Sequence, residues 1–113
     1  MKRFDVIETP IKGLLTIKTS RIEDERGYLS RLYCFKQMQD IGFSSQINQI
    51  NFTKTLSKGT IRGFHFQHPP FAEYKYVRCL KGQVYDVALD LRNGSETFLQ
   101  SLWIKRYFKE NLR

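Results

Sequence analysis

Apolar and polar residues alternate with a period of two through most of this chain, and turn-forming residues cut the pattern at short intervals. A period of two sends successive side chains to opposite faces of an extended backbone, so the pattern specifies short strands. It predicts strands over Phe4–Ile7, Leu14–Thr19, Tyr28–Cys34, Gln46–Thr53, Thr60–Gln67, Lys75–Leu80, Gln83–Leu91 and Phe98–Tyr107. Between them lie Asp24-Glu25-Arg26-Gly27, Ser57-Lys58-Gly59, Pro69-Pro70, Lys81-Gly82 and Arg92-Asn93-Gly94-Ser95. Each break has its own chemistry: glycine for positive φ, proline to stop a ladder, Asn-Gly for a tight reversal. Only Lys36–Ile41 reads as helix. Many short strands with regular turns imply an all-β sandwich, jelly roll or barrel.

The last predicted strand is followed only by Phe108–Arg113. A jelly roll closes with returning strands, and an open sheet exposes an edge that natural proteins usually cover. The expectation is therefore the N-terminal portion of a longer fold, cut short at its C-terminal end.

A chain of 113 residues makes one domain, 1–113, with a single core. Its apolar fraction of 41% and aromatic fraction of 14% fit a packed globule rather than a disordered chain. No apolar run reaches the roughly 18–20 residues of a membrane span, and Met1-Lys2-Arg3-Phe4-Asp5 has no apolar leader core. Cys34 and Cys79 lack CxxC spacing and read as free, buried thiols in a reducing compartment, which points to the cytoplasm. The net charge of +8 invites a nucleic-acid reading. The basic residues are nevertheless spread from Lys2 to Arg113 without a dense run, zinc-finger spacing or RNA-recognition signature. A basic pocket for an anionic small ligand, such as a nucleoside diphosphate, accounts for the charge with fewer assumptions; neither nucleic acid nor membrane is the expected partner.

Chemistry concentrates in Arg62-Gly63-Phe64-His65-Phe66-Gln67-His68, followed by Pro69-Pro70 and Lys75. Alternation puts Ile61, Gly63, His65 and Gln67 on one face and Arg62 on the other, and a bulge at Gly63 would turn Arg62 and His65 toward one cavity. A neutral imidazole, with a reference pKa of about 6.5, has suitable basicity to take a proton from carbon. A lysine nearby would stabilise the enolate oxygen where charge accumulates. The plainer readings are a hydrogen-bonded histidine at 65 and a snorkelling lysine at 75. Gln49 and Asn51 share one face of the preceding strand, and two inward amides would need partners that a ligand can supply. Arg26, exposed in a turn, suits a bidentate phosphate contact as well as an ordinary turn role. His65, His68 and Glu73 resemble part of a metal-binding cupin pattern. Gln67 stands where that pattern has its second histidine, however, and the chain has no third. Asp86 and Asp90 are too far apart in a strand to couple as acid and base, and are expected to bond neighbouring loops or basic groups.

Taken in order, Asp24-Glu25-Arg26-Gly27, Gln49-Ile50-Asn51 and Ile61-Arg62-Gly63-Phe64-His65-Phe66-Gln67 resemble the dTDP-4-dehydrorhamnose 3,5-epimerase family. So do Lys75-Tyr76-Val77-Arg78, Gly82-Gln83-Val84-Tyr85-Asp86-Val87-Ala88-Leu89-Asp90-Leu91-Arg92 and Ser95-Glu96-Thr97-Phe98. The resemblance implies a metal-free cupin jelly roll (a double-stranded β-helix), incomplete at the C-terminus, that needs no cofactor and forms a homodimer. It implies epimerisation at C3 and C5 of a dTDP-linked 4-keto-6-deoxyhexose on the way to dTDP-L-rhamnose. His65 matches the family's general base and Lys75 its enolate-stabilising residue. Arg26, Gln49, Asn51 and Arg62 match substrate-binding positions, with Arg26 serving the partner subunit's site. Arg31 departs from a usual glutamate, and Glu73-Tyr74 from a small, glycine-containing pair. The family's proton-donor tyrosine, the carboxylate partner of its base and a further ligand histidine lie beyond the matched part; neither Tyr85 nor Tyr107 fits the donor's motif. A poorly active or inactive chain is the corresponding expectation. A related cupin 3-epimerase or 3,4-ketoisomerase, and a non-catalytic nucleotide-sugar-binding remnant, remain as alternatives.

Overall fold

The computed structural model describes residues 4–107. The chain up to Cys34 and from Val77 onward makes one compact unit, and Phe35–Tyr76 makes a second.

The first unit is built from three antiparallel hairpins. Strands β1 (Phe4–Glu8) and β2 (Leu15–Thr19) pair from Phe4↔Thr19 to Glu8↔Leu15. The Thr9 hydroxyl ties their connection, donating to the Leu14 carbonyl at 2.8 Å and accepting from the Ile11 N–H at 3.3 Å. Phe4 and Ile11 are buried and form the apolar anchor of this part. Strands β3 (Arg21–Asp24) and β4 (Gly27–Ser30) pair from Arg21↔Ser30 to Asp24↔Gly27, with the Arg21 guanidinium 4.0 Å over the Tyr28 ring. A Ser30 Oγ to Thr19 Oγ1 bond of 3.1 Å links this hairpin to β2. Strands β4 (Gly27–Ser30) and β5 (Gln83–Leu89) are separated in sequence by the whole second unit, and β5 pairs with β6 (Ser101–Tyr107) from Gln83↔Tyr107 to Leu89↔Ser101. On this ribbon the Arg106 Nε donates to Asp86 at 2.9 Å, diagonally across the ladder.

The second unit holds the one short helix among the described residues, α1 (Phe35–Asp40), one residue from its predicted position. Its end is chemically explicit. The Phe43 N–H bonds the Met38 carbonyl at 2.9 Å and the Gly42 N–H bonds the Gln39 carbonyl at 3.0 Å, with Gly42 at φ +94°. That pair of bonds is a Schellman stop, which needs a left-handed residue at the glycine position. Met38 on this helix is fully buried.

Several expectations require correction. Gln46–Thr53, Thr60–Gln67 and Lys75–Leu80 carry no strand ladder among the described residues. Alternation assigns faces to side chains, but a strand also needs a neighbour about 4.8 Å away to take its N–H and C=O groups. Without one, their large apolar side chains are exposed, Ile50 at 86% and Ile61 at 91%. The strand expected over Tyr28–Cys34 stops at Ser30, and β3, rich in charge, was not anticipated at all. The expected strand starting at Phe98 begins at Ser101 because Glu96–Leu99 are drawn into a turn. Cys34 and Cys79 are free thiols but only half-buried, and Cys79 Sγ lies 3.4 Å from the Gly82 carbonyl oxygen.

Candidate functional site

Gly63 has φ +100°, a conformation open to glycine and strained for other residues, but with no strand ladder over Thr60–Gln67 the expected bulge does not form. A methyl group at this position would lie 3.5 Å from the His65 N and 3.9 Å from its Nδ1. Those are ordinary van der Waals distances, so it is the positive φ rather than lack of space that calls for glycine here. His65, Arg62, Gln49 and Asn51 are all exposed, and no hydrogen bond joins them among the described residues. The second histidine is placed differently: the His68 ring packs edge-on to Phe66, with centroids 5.0 Å apart. Its carbonyl accepts the Phe71 N–H at 2.8 Å, closing the turn through Pro69-Pro70.

Lys75 lies half exposed, with its Nζ 3.7 Å from Glu73 Oε1. Glu73 is thus a partner of the lysine. At that distance and exposure the pair is loose. Beside it Phe43 packs on Tyr74, with ring centroids 5.3 Å apart, joining the helix end to the segment that carries Lys75.

Arg26 belongs to the first unit, at the tip of the β3–β4 hairpin. The Asp24 carboxylate accepts the Arg26 backbone N–H at 2.8 Å, which shapes the turn. It also takes the guanidinium, through Nε at 3.2 Å and through Nη2 at 2.6 Å. The Arg26 side chain is 84% exposed. Its hydrogen bond to Asp24 raises the arginine's pKa, and the same bond with the backbone N–H holds the carboxyl below the usual carboxylate range.

The two aspartates of the Gly82–Arg92 segment bond loops and basic groups, as expected. Asp90, 4% exposed, is the buried charged residue among those described. It accepts Arg92 Nε at 3.0 Å, Ser95 Oγ at 2.6 Å and Thr97 Oγ1 at 2.6 Å. Arg92 above all, then the two hydroxyls, hold its carboxyl far below the usual carboxylate range. This cluster closes the β5–β6 connection; the sequence signal for it is the run Asp90-x-Arg92-x-x-Ser95-x-Thr97.

Residues 8–110 match the family model described as dTDP-4-dehydrorhamnose 3,5-epimerase. A protein of that description from Shigella flexneri is 38% identical over 95 residues, covering 83% of this chain and 52% of its own length. One from Escherichia coli K12 is 32% identical, covering 92% and 63% respectively. Two crystal structures of proteins so described superpose closely. That from Elizabethkingia anophelis has a TM-score of 0.86 at 36% identity, over 94% of this chain and 58% of its own. That from Bacillus anthracis, with TDP and PPi bound, has a TM-score of 0.87 at 33% identity, over 92% and 59%. The fold is thus the all-β cupin-type jelly roll that the motifs imply, and the chain spans about half the length of the curated relatives it matches.

Proposed function

The chain belongs to the dTDP-4-dehydrorhamnose 3,5-epimerase family, and from that premise we propose that its residues supply the proton-abstracting side of a sugar-nucleotide epimerase. The substrate is a dTDP-linked 4-keto-6-deoxyhexose. The neutral His65 imidazole removes the hydrogen on the carbon beside the C4 ketone. That C–H bond breaks, its electron pair forms a double bond to C4 while the carbonyl π pair moves onto the ketone oxygen, and the proton stays on the imidazole. Lys75 stabilises the enolate oxygen by charge. A solvent-derived proton then adds to the opposite face of the carbon as the C=O bond re-forms, the imidazolium gives its proton to solvent, and the same sequence at C3 and C5 gives the double epimer.

The observation that carries this reading is an exposed His65 two residues after the left-handed glycine Gly63, in a segment that also presents an exposed Arg62. Arg26, Gln49, Asn51 and Arg62 hold the nucleoside diphosphate and sugar. The match over residues 8–110 runs through both compact units, which supports one cupin domain over 1–113. A homodimer, in which Arg26 serves the partner's site, and a cytoplasmic location complete the proposal. The free thiols support the location, and no helix of the described residues is long and apolar enough to cross a membrane.

Incubation of an active, full-length form carrying these residues with dTDP-4-keto-6-deoxyglucose in deuterated water tests the reaction. Deuterium at both C3 and C5 is expected. Deuterium at C3 alone would instead identify a 3-epimerase or 3,4-ketoisomerase, and binding without exchange would leave a nucleotide-sugar binder.

A further inference from the structure

We infer that Asp24 is a positioning residue for Arg26, fixing one edge of the guanidinium so that the other presents a ready fork to a diphosphate oxyanion. The inference rests on the reading of Arg26 as a diphosphate ligand and deepens it. A guanidinium carries five N–H donors in a rigid plane, grouped along its edges. Asp24 takes the edge formed by Nε and Nη2, at 3.2 and 2.6 Å. The edge formed by Nη1 and the far hydrogen of Nη2 is left for solvent, on a side chain 84% exposed. Two parallel N–H donors on that edge match two oxygens of a phosphate group.

The grip also has a rigid base. The same carboxylate holds the Arg26 backbone N–H at 2.8 Å, so main chain and side chain of Arg26 are tied to one group. The hairpin beneath is fixed by four paired positions, Arg21↔Ser30 to Asp24↔Gly27, and by the Arg21 guanidinium stacked on Tyr28. An exposed ion pair of this kind adds little to folding. Its consequence for binding is larger, because an arginine held in one rotamer has less freedom to lose when the anion arrives.

This role makes a prediction opposite in sign to simple electrostatics. Replacing Asp24 by alanine raises the net charge from +8 by one unit, which by itself favours an anion. The positioning role instead predicts that dTDP binds Asp24→Ala roughly 2- to 10-fold more weakly, the usual cost of ordering one rotamer-rich side chain. Asp24→Asn keeps one oxygen for the Arg26 N–H and Nε but sets an amide donor against Nη2 in place of Oδ2, so it should bind dTDP more weakly than the parent and no more weakly than alanine. Asp24→Ser keeps the bond to the backbone N–H but cannot grip the guanidinium. It should weaken binding as alanine does, even if alanine disturbs the turn.

Titration of the chain and these variants with dTDP by calorimetry gives the affinities, and NMR gives the independent signature. The Arg26 Nε–H resonance should be protected from exchange in the parent and lose protection in Asp24→Ser and Asp24→Ala, while β3 and β4 amide signals persist. Serine and alanine variants that bind dTDP as tightly as the parent, or more tightly, would overturn the inference. Arg26→Ala distinguishes the premise: if it binds dTDP normally, or if the parent does not bind, the diphosphate reading falls and the inference with it. Weak binding by Arg26→Ala with unchanged binding by Asp24→Ser defeats the positioning role alone.

Discussion

Gly63 and His65 are coupled through the main chain, and that coupling makes opposite demands on stability and chemistry. At φ +100° a side chain at position 63 is strained, and its Cβ would lie 3.5 Å from the His65 backbone nitrogen. Gly63→Ala is therefore expected to displace the imidazole and slow deuterium exchange at the sugar roughly 10- to 100-fold, as small misplacements of reacting groups do. His65→Ala removes the base itself and should cost roughly 10²–10⁴-fold. In an active, full-length form, equal turnover by His65→Ala and the parent would exclude the histidine from the reaction. Both residues were legible as a pair from their spacing, since an alternating run interrupted by glycine already suggests a break beside the histidine. The ion pair of Lys75 with Glu73 was not, because the turn through Pro69-Pro70 that precedes them has no fixed geometry in the sequence alone.

The β5–β6 hairpin owes its closure to a buried carboxylate. The Asp90 N–H bonds the Gln100 carbonyl at 3.0 Å and the Leu99 N–H returns to the Asp90 carbonyl at 2.7 Å, while Arg92, Ser95 and Thr97 converge on its side chain. Gly94 at φ +83° and Leu99 at φ +64° let the intervening chain curl inward. Because these bonds depress the Asp90 pKa below its ordinary 3.8, the folded state binds its proton less readily than the unfolded state. The resulting stabilisation is complete above about pH 4 and declines as pH falls below 3.8 toward the depressed value. Asp90→Asn should thus melt several degrees below the parent near pH 7, with the gap narrowing under acid; thermal melts from pH 7 to pH 2 measure it. A gap that stays constant to pH 2 would remove Asp90 ionisation as the cause. The helix shows the same division of labour on a smaller scale: Lys36–Ile41 was readable from composition, and Gly42 gave the stop through a conformation few other residues adopt.

On the scale of the whole molecule, charge and exposed apolar surface oppose one another. Ile50, Phe52 and Ile61 are at least 75% exposed, on stretches whose alternating pattern suits strand pairing. Apolar surface of that kind favours association, whereas a net charge of +8 repels like copies. Raising ionic strength screens the repulsion and leaves the apolar attraction, so sedimentation velocity should show larger species at about 0.5 M salt, where the Debye length is roughly 3–5 Å, than at about 0.02 M, where it is roughly 20–30 Å. A salt-independent monomer would contradict this. Alternation determined which faces the side chains take, turn residues determined where the chain reverses, and the ordered motifs determined the family and its candidate residues. Tertiary structure alone decided which alternating stretches pair, that charged Arg21–Asp24 forms a strand, and that Arg106 meets Asp86. The reason is physical: periodicity and turn propensity are properties of a few consecutive residues. A ladder or a charge-assisted bond exists only when two segments supply matching donors and acceptors in the same place.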